Sequence, residues 1–270
     1  MKREKRVLLV NDDGSDAPGL WALYREIRKI AECVVLAPMR EQSGRGHAIT
    51  VRQSMALEAL KRGGRKVGYR LDGTPADCVK LALSRLYRGQ IALVISGVNW
   101  GANVGHNILY SGTVGAALEA AMCGLPAIAV SLRDEAASGG RAPTHYATAA
   151  RVARNLAVAI LASGLPPGVA LNVNVPNLPA REIAGFGLTR QGRETYVDLF
   201  EMTRSGSPGA DTTLCTNLGG ERVSSRQTSQ LLDDIALNNR LISITPLHQN
   251  LTCESAIDLL REQLGRVRIV

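Results

Sequence analysis

Residues 91–105 read IALVISGVNWGANVG, and the first half of that stretch decides the class of fold. Ile91, Leu93, Val94 and Ile95 form an unbroken apolar, β-branched run, the pattern of a strand buried on both faces of a parallel sheet. The second half is glycine and asparagine, which is loop chemistry. Working back, residues 7–10 (VLLV) and 33–37 (CVVLA) repeat the strand pattern on either side of a helical stretch at 19–30. Residues 75–87 read as a helix with Pro75 in its first turn and Val79, Leu83 and Leu86 on one face. Working forward, a small-residue helix over 113–122, a strand at 127–131, a helix over 144–162 and a strand at 169–175 continue the alternation. Strands that alternate with helices predict a Rossmann-like α/β fold, a mostly parallel sheet with helices on both faces, over residues 1–176.

From Pro176 the pattern changes. Residues 183–226 are rich in Gly, Thr, Ser and Arg without a helical period, which predicts hairpins and long loops before a strand at 241–245 and a helix over 254–264. Residues 177–270 therefore read as a β-rich C-terminal extension with a terminal helix, of the kind that serves contacts between subunits. A Gly/Ala/Ser-rich loop is expected at 134–143.

Composition narrows the functions. At 270 residues, 45% apolar and 21% charged, the chain is neither a disordered tail nor collagen-like, and it is long enough to bury a core without staples. Its five cysteines are scattered and never form a CxxC pair, so they read as reduced thiols of a cytoplasmic protein rather than a zinc or disulfide framework. The basic N-terminus carries four apolar residues before Asn11, too few for a secretory signal of about 7–15. No run approaches the ~20 residues that span a bilayer, so no membrane partner is expected. The net charge of +8 admits an anionic partner. Basic residues cluster only at 2–6 and 61–66, and neither cluster interleaves aromatics. A small acidic substrate is therefore expected rather than a specific nucleic acid.

In an open α/β sheet, ligands bind beyond the carboxyl ends of strands where the strand order reverses. The first strand is followed by Asn11, Asp12, Asp13 and Gly14, and the strand at 91–96 by the loop that holds Asn99 and Asn103. Adjacent carboxylates at one strand end repel, and a cation stabilises both. Carboxylates, an amide and a hydroxyl make an all-oxygen set that favours Mg²⁺, Mn²⁺ or Ca²⁺ over zinc. Asp-Asp-Gly is equally the composition of a plain strand-to-helix turn. Ser111, Gly112 and Thr113 open the helix at 113–122, where free N–H groups and the helix dipole favour a phosphate. The competing reading is an ordinary Ser/Thr N-cap. Residues 39–50 (MREQSGRGHAIT) add Ser43, Arg45 and His47 on a loop, and TPLH at 245–248 adds a lone His248, a residue type that is more often structural than catalytic.

Six stretches in order, VLLVNDDG with APG at 17–19, APMREQSG, DGTPADCV, ISGVNWGANVG, LYSGTVGAALEA and ISITPLH, resemble the motif series of the SurE survival-protein nucleotidases. The resemblance implies a cytoplasmic, divalent-metal-dependent phosphatase of the stationary-phase survival family. Such enzymes act on nucleoside 5′- and 3′-monophosphates and, in some members, on short polyphosphate. It places one Mg²⁺ or Mn²⁺ per subunit on Asp12, Asp13, Ser43 and Asn99, and the phosphate on Ser111, Gly112 and Thr113 with Asn103 nearby. It also implies a homodimer or homotetramer built through the C-terminal part. The chain departs from the family pattern at Met39, His47, His106 and Asn107, which bears on substrate preference.

These residues together predict hydrolysis of a phosphomonoester by water, with Asp12 or Asp13 as proton acceptor or nucleophile and Arg45 as a further phosphate clamp. A sugar-phosphate or polyphosphate phosphatase is the rival enzyme. A catalytically silent metal- and anion-binding module is the rival of another class. A receiver-like phospho-acceptor is disfavoured, because neither later strand ends in the acceptor Asp and Lys that it needs.

Overall fold

The computed structural model describes residues 6–133, 144–204, 213–226, 230–265 and 267, so the loop expected at 134–143 and most of the basic cluster at 2–6 lie outside the described residues. The chain runs β1 (Arg6–Val10), α1 (Pro18–Ile27), β2 (Cys33–Pro38), β3 (Leu57–Arg62), β4 (Arg65–Leu71), α2 (Pro75–Leu81), β5 (Ile91–Trp100) and α3 (Gly112–Met122). It continues through β6 (Ala127–Leu132), α4 (Tyr146–Ser163), β7 (Val169–Val175), β8 (Gly185–Leu188), β9 (Thr195–Arg204), β10 (Thr213–Val223), α5 (Asp233–Asn238), β11 (Leu241–His248) and α6 (Glu254–Leu264).

Nine strands form one sheet in the order β3-β4-β2-β1-β5-β6-β7-β11-β8. The six from β4 to β7 are parallel. Period-two alternation sends Val7 and Leu9 of β1 to the face covered by α1 and α4, and Leu8 and Val10 to the face covered by α2 and α3. Both faces of β1 and β5 are thus dry, which is why the run at 91–96 carries no polar alternation. β1 lies between β2 and β5, and the chain winds outward from it first to one side and then to the other. The order reverses between β1 and β5, and the loops beyond those two strands bracket the crevice.

Some expectations change in detail. The basic cluster at 61–66 is the tip of a hairpin. Gly63 and Gly64 both take positive φ (54° and 77°) between β3 and β4, the two-residue turn that matches strand twist. The helix from Pro75 gives way at Leu81 to a π-helical turn, Ala82–Leu86. β5 runs on to Trp100 because a register shift between Gly97 and Asn99 lets pairing with β6 resume beyond the glycine. Asn99 is therefore a strand-end residue. The C-terminal part divides: β11 and β8 extend the main sheet, while β9 and β10 pair as a separate antiparallel hairpin. Pro246 is accommodated within β11 because β8 pairs only with Leu241 to Ile244.

Candidate active site

The turn after β1 is closed from within. Asn11 Nδ2 donates to the Gly14 carbonyl at 2.8 Å, and the Ser15 N–H donates to the Pro38 carbonyl at 2.8 Å, tying the turn to the end of β2. Asp12 is buried and Asp13 half-buried. The Asp12 carboxylate accepts from the Thr113 N–H at 3.1 Å and from the Thr113 hydroxyl, so the acid pair and the start of α3 are joined. This approach needs a glycine before Thr113: a Cβ on Gly112 would lie 2.9 Å from Asp12 Cβ and 3.2 Å from Pro75 Cγ.

Ser111 is the N-cap of α3, its Oγ accepting from the Val114 N–H at 3.1 Å. The capping role and an anion-binding role coexist, since a hydroxyl that accepts at the cap still has its own proton to donate. Thr113 has given both its N–H and its O–H to Asp12. The donors left to a ligand at this helix start are the Ser111 hydroxyl and the Gly112 N–H.

From the β5 side, Asn99 Nδ2 donates to the Gly101 carbonyl at 2.7 Å, which leaves its Oδ1 for a ligand. Asn103 lines the same cleft, yet its Nδ2 donates at 2.8 Å to Ser131 Oγ behind it. Its main chain is gripped from β7: its N–H donates to Asn174 Oδ1 (2.7 Å), and its carbonyl accepts from Asn174 Nδ2 (3.0 Å) and Asn172 Nδ2 (2.7 Å). One turn further on, Asp233 Oδ2 of α5 accepts from the Gly105 N–H at 3.0 Å and Gln191 Nε2 donates to the Gly105 carbonyl at 2.8 Å. Gly105 has φ +56°, and a Cβ there would stand 2.4 Å from the Glu194 carbonyl oxygen, so the loop seats directly on the chain before β9.

The third wall is the loop at 39–50. Ser43 is exposed and its hydroxyl donates to Glu41 at 2.8 Å. His47 Nε2 lies 2.9 Å from Glu119 on α3, which also takes Lys80 at 3.0 Å. The far end of the loop is pinned where Thr50 donates its N–H and hydroxyl to Asp77, the residue that completes the capping box of α2. The DGTPADCV stretch is thus scaffold for this loop.

Asp12, Ser43, Asn99, Asn103 and Ser111 line one cleft of about 210 Å³, with Asn107, Trp100 and Tyr110 at its sides. Asp13 adjoins it, its carboxyl under the lowering influence of the Trp100 main chain. Arg45 is exposed on the third wall. His248 stands elsewhere, beside Arg190 in a hollow of about 570 Å³ at the β8–β11 edge, with its Nδ1 accepting from the Asn250 N–H at 3.0 Å. That hollow is larger, but the convergent charged and amide groups are in the smaller cleft. Phe200 is exposed on β9, and the side chain of Tyr196 lies outside the described ones.

Burial pushes the Asp13 carboxyl up to about 7, with the Asp12 charge adding to the effect. Burial likewise raises Asp12, against the lowering influence of its Thr113 hydrogen bonds. Among the described residues neither carboxylate has a Lys, Arg or His in ion-pair contact. The pair is therefore an uncompensated acidic site, and the buried Asn11 Oδ1 beside it has no hydrogen-bond partner. Oxygen donors around uncompensated charge fit a hard divalent cation, and the residues that could hold one are Asp12, Asp13, Ser43 and Asn99.

Asn172, Asn174, Asp233 and Glu119 escape a reading of the sequence for ligands. The alternating asparagines of LNVNV were the available signal, because polar side chains inside a strand buried on both faces must find partners. Asp233 offers no such signal on a six-residue helix.

The sheet order and this cleft define an α/β protein of Rossmann-like winding whose switch point joins an acid pair to a helix start. The family model described as "Survival protein SurE" matches residues 7–198, and the chain belongs to that family. It is 42% identical over 261 residues to the 5′-nucleotidase SurE of Syntrophus aciditrophicus (strain SB), covering 97% of this chain and 94% of that one. Against the 5′-nucleotidase SurE of Syntrophobacter fumaroxidans (strain DSM 10017 / MPOB), identity is 42% over 255 residues, with 94% and 98% covered. The crystal structure of the SurE protein from Aquifex aeolicus superposes with a TM-score of 0.78 at 33% identity, covering 96% of this chain and 99% of that one.

Proposed function

We propose that the protein is a divalent-metal-dependent 5′-nucleotidase that hydrolyses nucleoside monophosphates to nucleoside and phosphate at the cleft between β1 and β5. One observation carries the reading: the hydrogen bonds from Thr113 to Asp12 set a carboxylate pair against an anion-receptive helix start. A phosphate at that helix start would face two carboxylates, an arrangement that is stable only with positive charge between them. The relatives named as 5′-nucleotidases agree with this chemistry.

A Mg²⁺ or Mn²⁺ ion held by Asp12, Asp13, Ser43 and Asn99 would supply that charge and acidify water. The chain's own residues do the rest. The Ser111 hydroxyl and the Gly112 N–H orient the phosphate oxygens, and Thr113 keeps Asp12 in place. Asp13, its carboxyl pushed up to about 7 by burial, stands next to the reacting phosphate to take a proton from the attacking water. Phosphoryl transfer asks mainly for such positioning and charge. Arg45 on the exposed loop is the further clamp. Nucleoside 3′-monophosphates and short polyphosphate present the same terminal phosphate and belong to the same reading.

The division at 176/177 carries a second part of the proposal. The C-terminal part, with Leu199, Phe200, Met202, Leu214 and Leu218 exposed on β9 and β10, is the surface through which subunits associate as dimers or tetramers.

The test is phosphate release from AMP, 3′-AMP and tripolyphosphate with Mg²⁺ or Mn²⁺, with EDTA, and with Asp12→Asn. Release from AMP that needs the ion and collapses in the variant is expected. An inactive wild type that still binds the ion would replace this reading with a silent metal- and anion-binding module.

A further inference from the structure

The phosphate chemistry leaves two large side chains of the cleft unused, Tyr110 and Trp100. Trp100 follows Asn99 at the end of β5 and lines the cleft with 40% of its surface exposed, unlike Trp21, which is 5% exposed in the core. The Trp100 indole rests against Tyr146, ring centroids 6.0 Å apart at 57°. A ring braced on one side and open on the other loses little freedom when a second planar group lands on it.

The size of the cleft says which part of a substrate reaches that ring. A volume of about 210 Å³ falls below the roughly 300–1,000 Å³ that enclose a whole drug-sized ligand. The Ser111–Gly112 end takes the phosphate, and the buried Asn107 Nδ2, which has no hydrogen-bond partner, is a donor for a phosphate or sugar oxygen along the wall. What remains of a nucleotide is the base, and it must lie at the mouth. Trp100 and Tyr110 stand at the sides of the cleft, Tyr110 with 64% of its surface exposed.

We propose that Trp100 is the base-stacking residue of this cleft and makes the enzyme prefer nucleoside monophosphates, purines above pyrimidines, over phosphomonoesters that lack a base. The inference rests on the phosphatase reading above and adds the specificity determinant to it. Trp100 is assigned rather than Tyr110 because its ring is already braced. Stacking accepts any base, since every base has a π-face, and favours the larger ring system.

Two measurements on the full chain test it. Steady-state kinetics with AMP, CMP and ribose 5-phosphate in Mg²⁺ or Mn²⁺ compare wild type, Trp100→Ala and Trp100→Phe. Trp100→Ala should raise KM for AMP about tenfold with kcat nearly unchanged, leave ribose 5-phosphate untouched, and be largely rescued by Trp100→Phe. Tryptophan emission, with Trp21 as the buried second fluorophore, should be quenched by AMP but not by ribose 5-phosphate, and Trp100→Phe should abolish the quenching. Equal losses for AMP and ribose 5-phosphate, or an unchanged KM for AMP, would overturn the proposal. If wild type releases no phosphate yet AMP quenches Trp100 selectively, base stacking stands and the phosphatase reading falls. If phosphate is released and no AMP-selective quenching occurs, the reverse holds.

Discussion

Two loops face each other across the cleft and are held in opposite ways. Residues 101–111 are bolted from behind: the buried Asn172 and Asn174 hold the main chain of Asn103, the buried Asp233 and the exposed Gln191 hold Gly105, and the Glu194 carbonyl lies under the His106 N–H at 2.9 Å. Residues 39–50 lie at the surface. The Gln42 and Gly46 N–H groups donate to the carbonyls of Asp12 and Tyr110, and His47 meets Glu119. A buried polar network cannot slip without leaving groups unpaired, so it holds atoms that must be placed closely. An exposed loop held by a few bonds brings a hydroxyl and an arginine and can vary at little cost.

The largest expected difference lies between the buried acid pair and the exposed loop. Asp12→Asn removes a charge at the joint with Thr113 and is expected to lower phosphate release by about 10³-fold. Ser43→Ala, on the exposed loop, is expected to lower it about tenfold. Comparable losses in phosphate-release assays would erase the distinction.

The next test strikes the buried side. Asn174→Leu leaves the Asn103 N–H without its acceptor and the Asn103 carbonyl with one donor fewer. It is expected to cost about 2–4 kcal/mol of stability and to lower kcat/KM about 10–100-fold. Urea melts and kinetics check this together. A stable, fully active variant would show that the loop holds its shape unaided.

The smallest effect concerns the side-chain tie of the exposed loop to α3 from His47 to Glu119. The hydrogen bond from His47 holds the Glu119 carboxyl below its usual 4.5, against the opposing effect of burial, and Lys80 pulls the same way while Cys123 also faces it. A depressed folded-state pKa contributes stability above the unfolded value, and that share is lost as pH falls through the folded one. Glu119→Gln should therefore be less stable than wild type by about 1–2 kcal/mol at pH 7. The gap should close as pH falls below the usual carboxylate range and through the depressed folded-state pKa. A gap independent of pH would mean that the carboxylate charge is not what ties the loop.

Legibility in the sequence followed the range of the interactions. The central strands were readable because burial on both faces writes an unbroken apolar run, as at Leu93, Val94 and Ile95. The hairpin from Leu57 to Leu71 was not, because β3 is an exposed edge strand whose only local mark is Gly63-Gly64 between basic residues. The candidate ligands stood out because Asp12, Asp13 and Asn99 directly follow or end strands. The division of labour at the helix start was hidden: Thr113 serves Asp12, a contact across 101 positions of chain.

What the sequence determined by itself is the alternation of strands and helices, the position of the acid pair and the Ser-Gly-Thr helix start, because these are local patterns of apolarity and turn chemistry. Only the tertiary structure decided that β1 and β5 are neighbours, that asparagines of β7 and an aspartate of α5 brace the loop between Asn99 and Ser111, and that Trp100 stands open at the mouth. The reason is physical. A buried donor takes whichever partner the packed sheet brings within 3 Å, and no spacing along the chain encodes that distance.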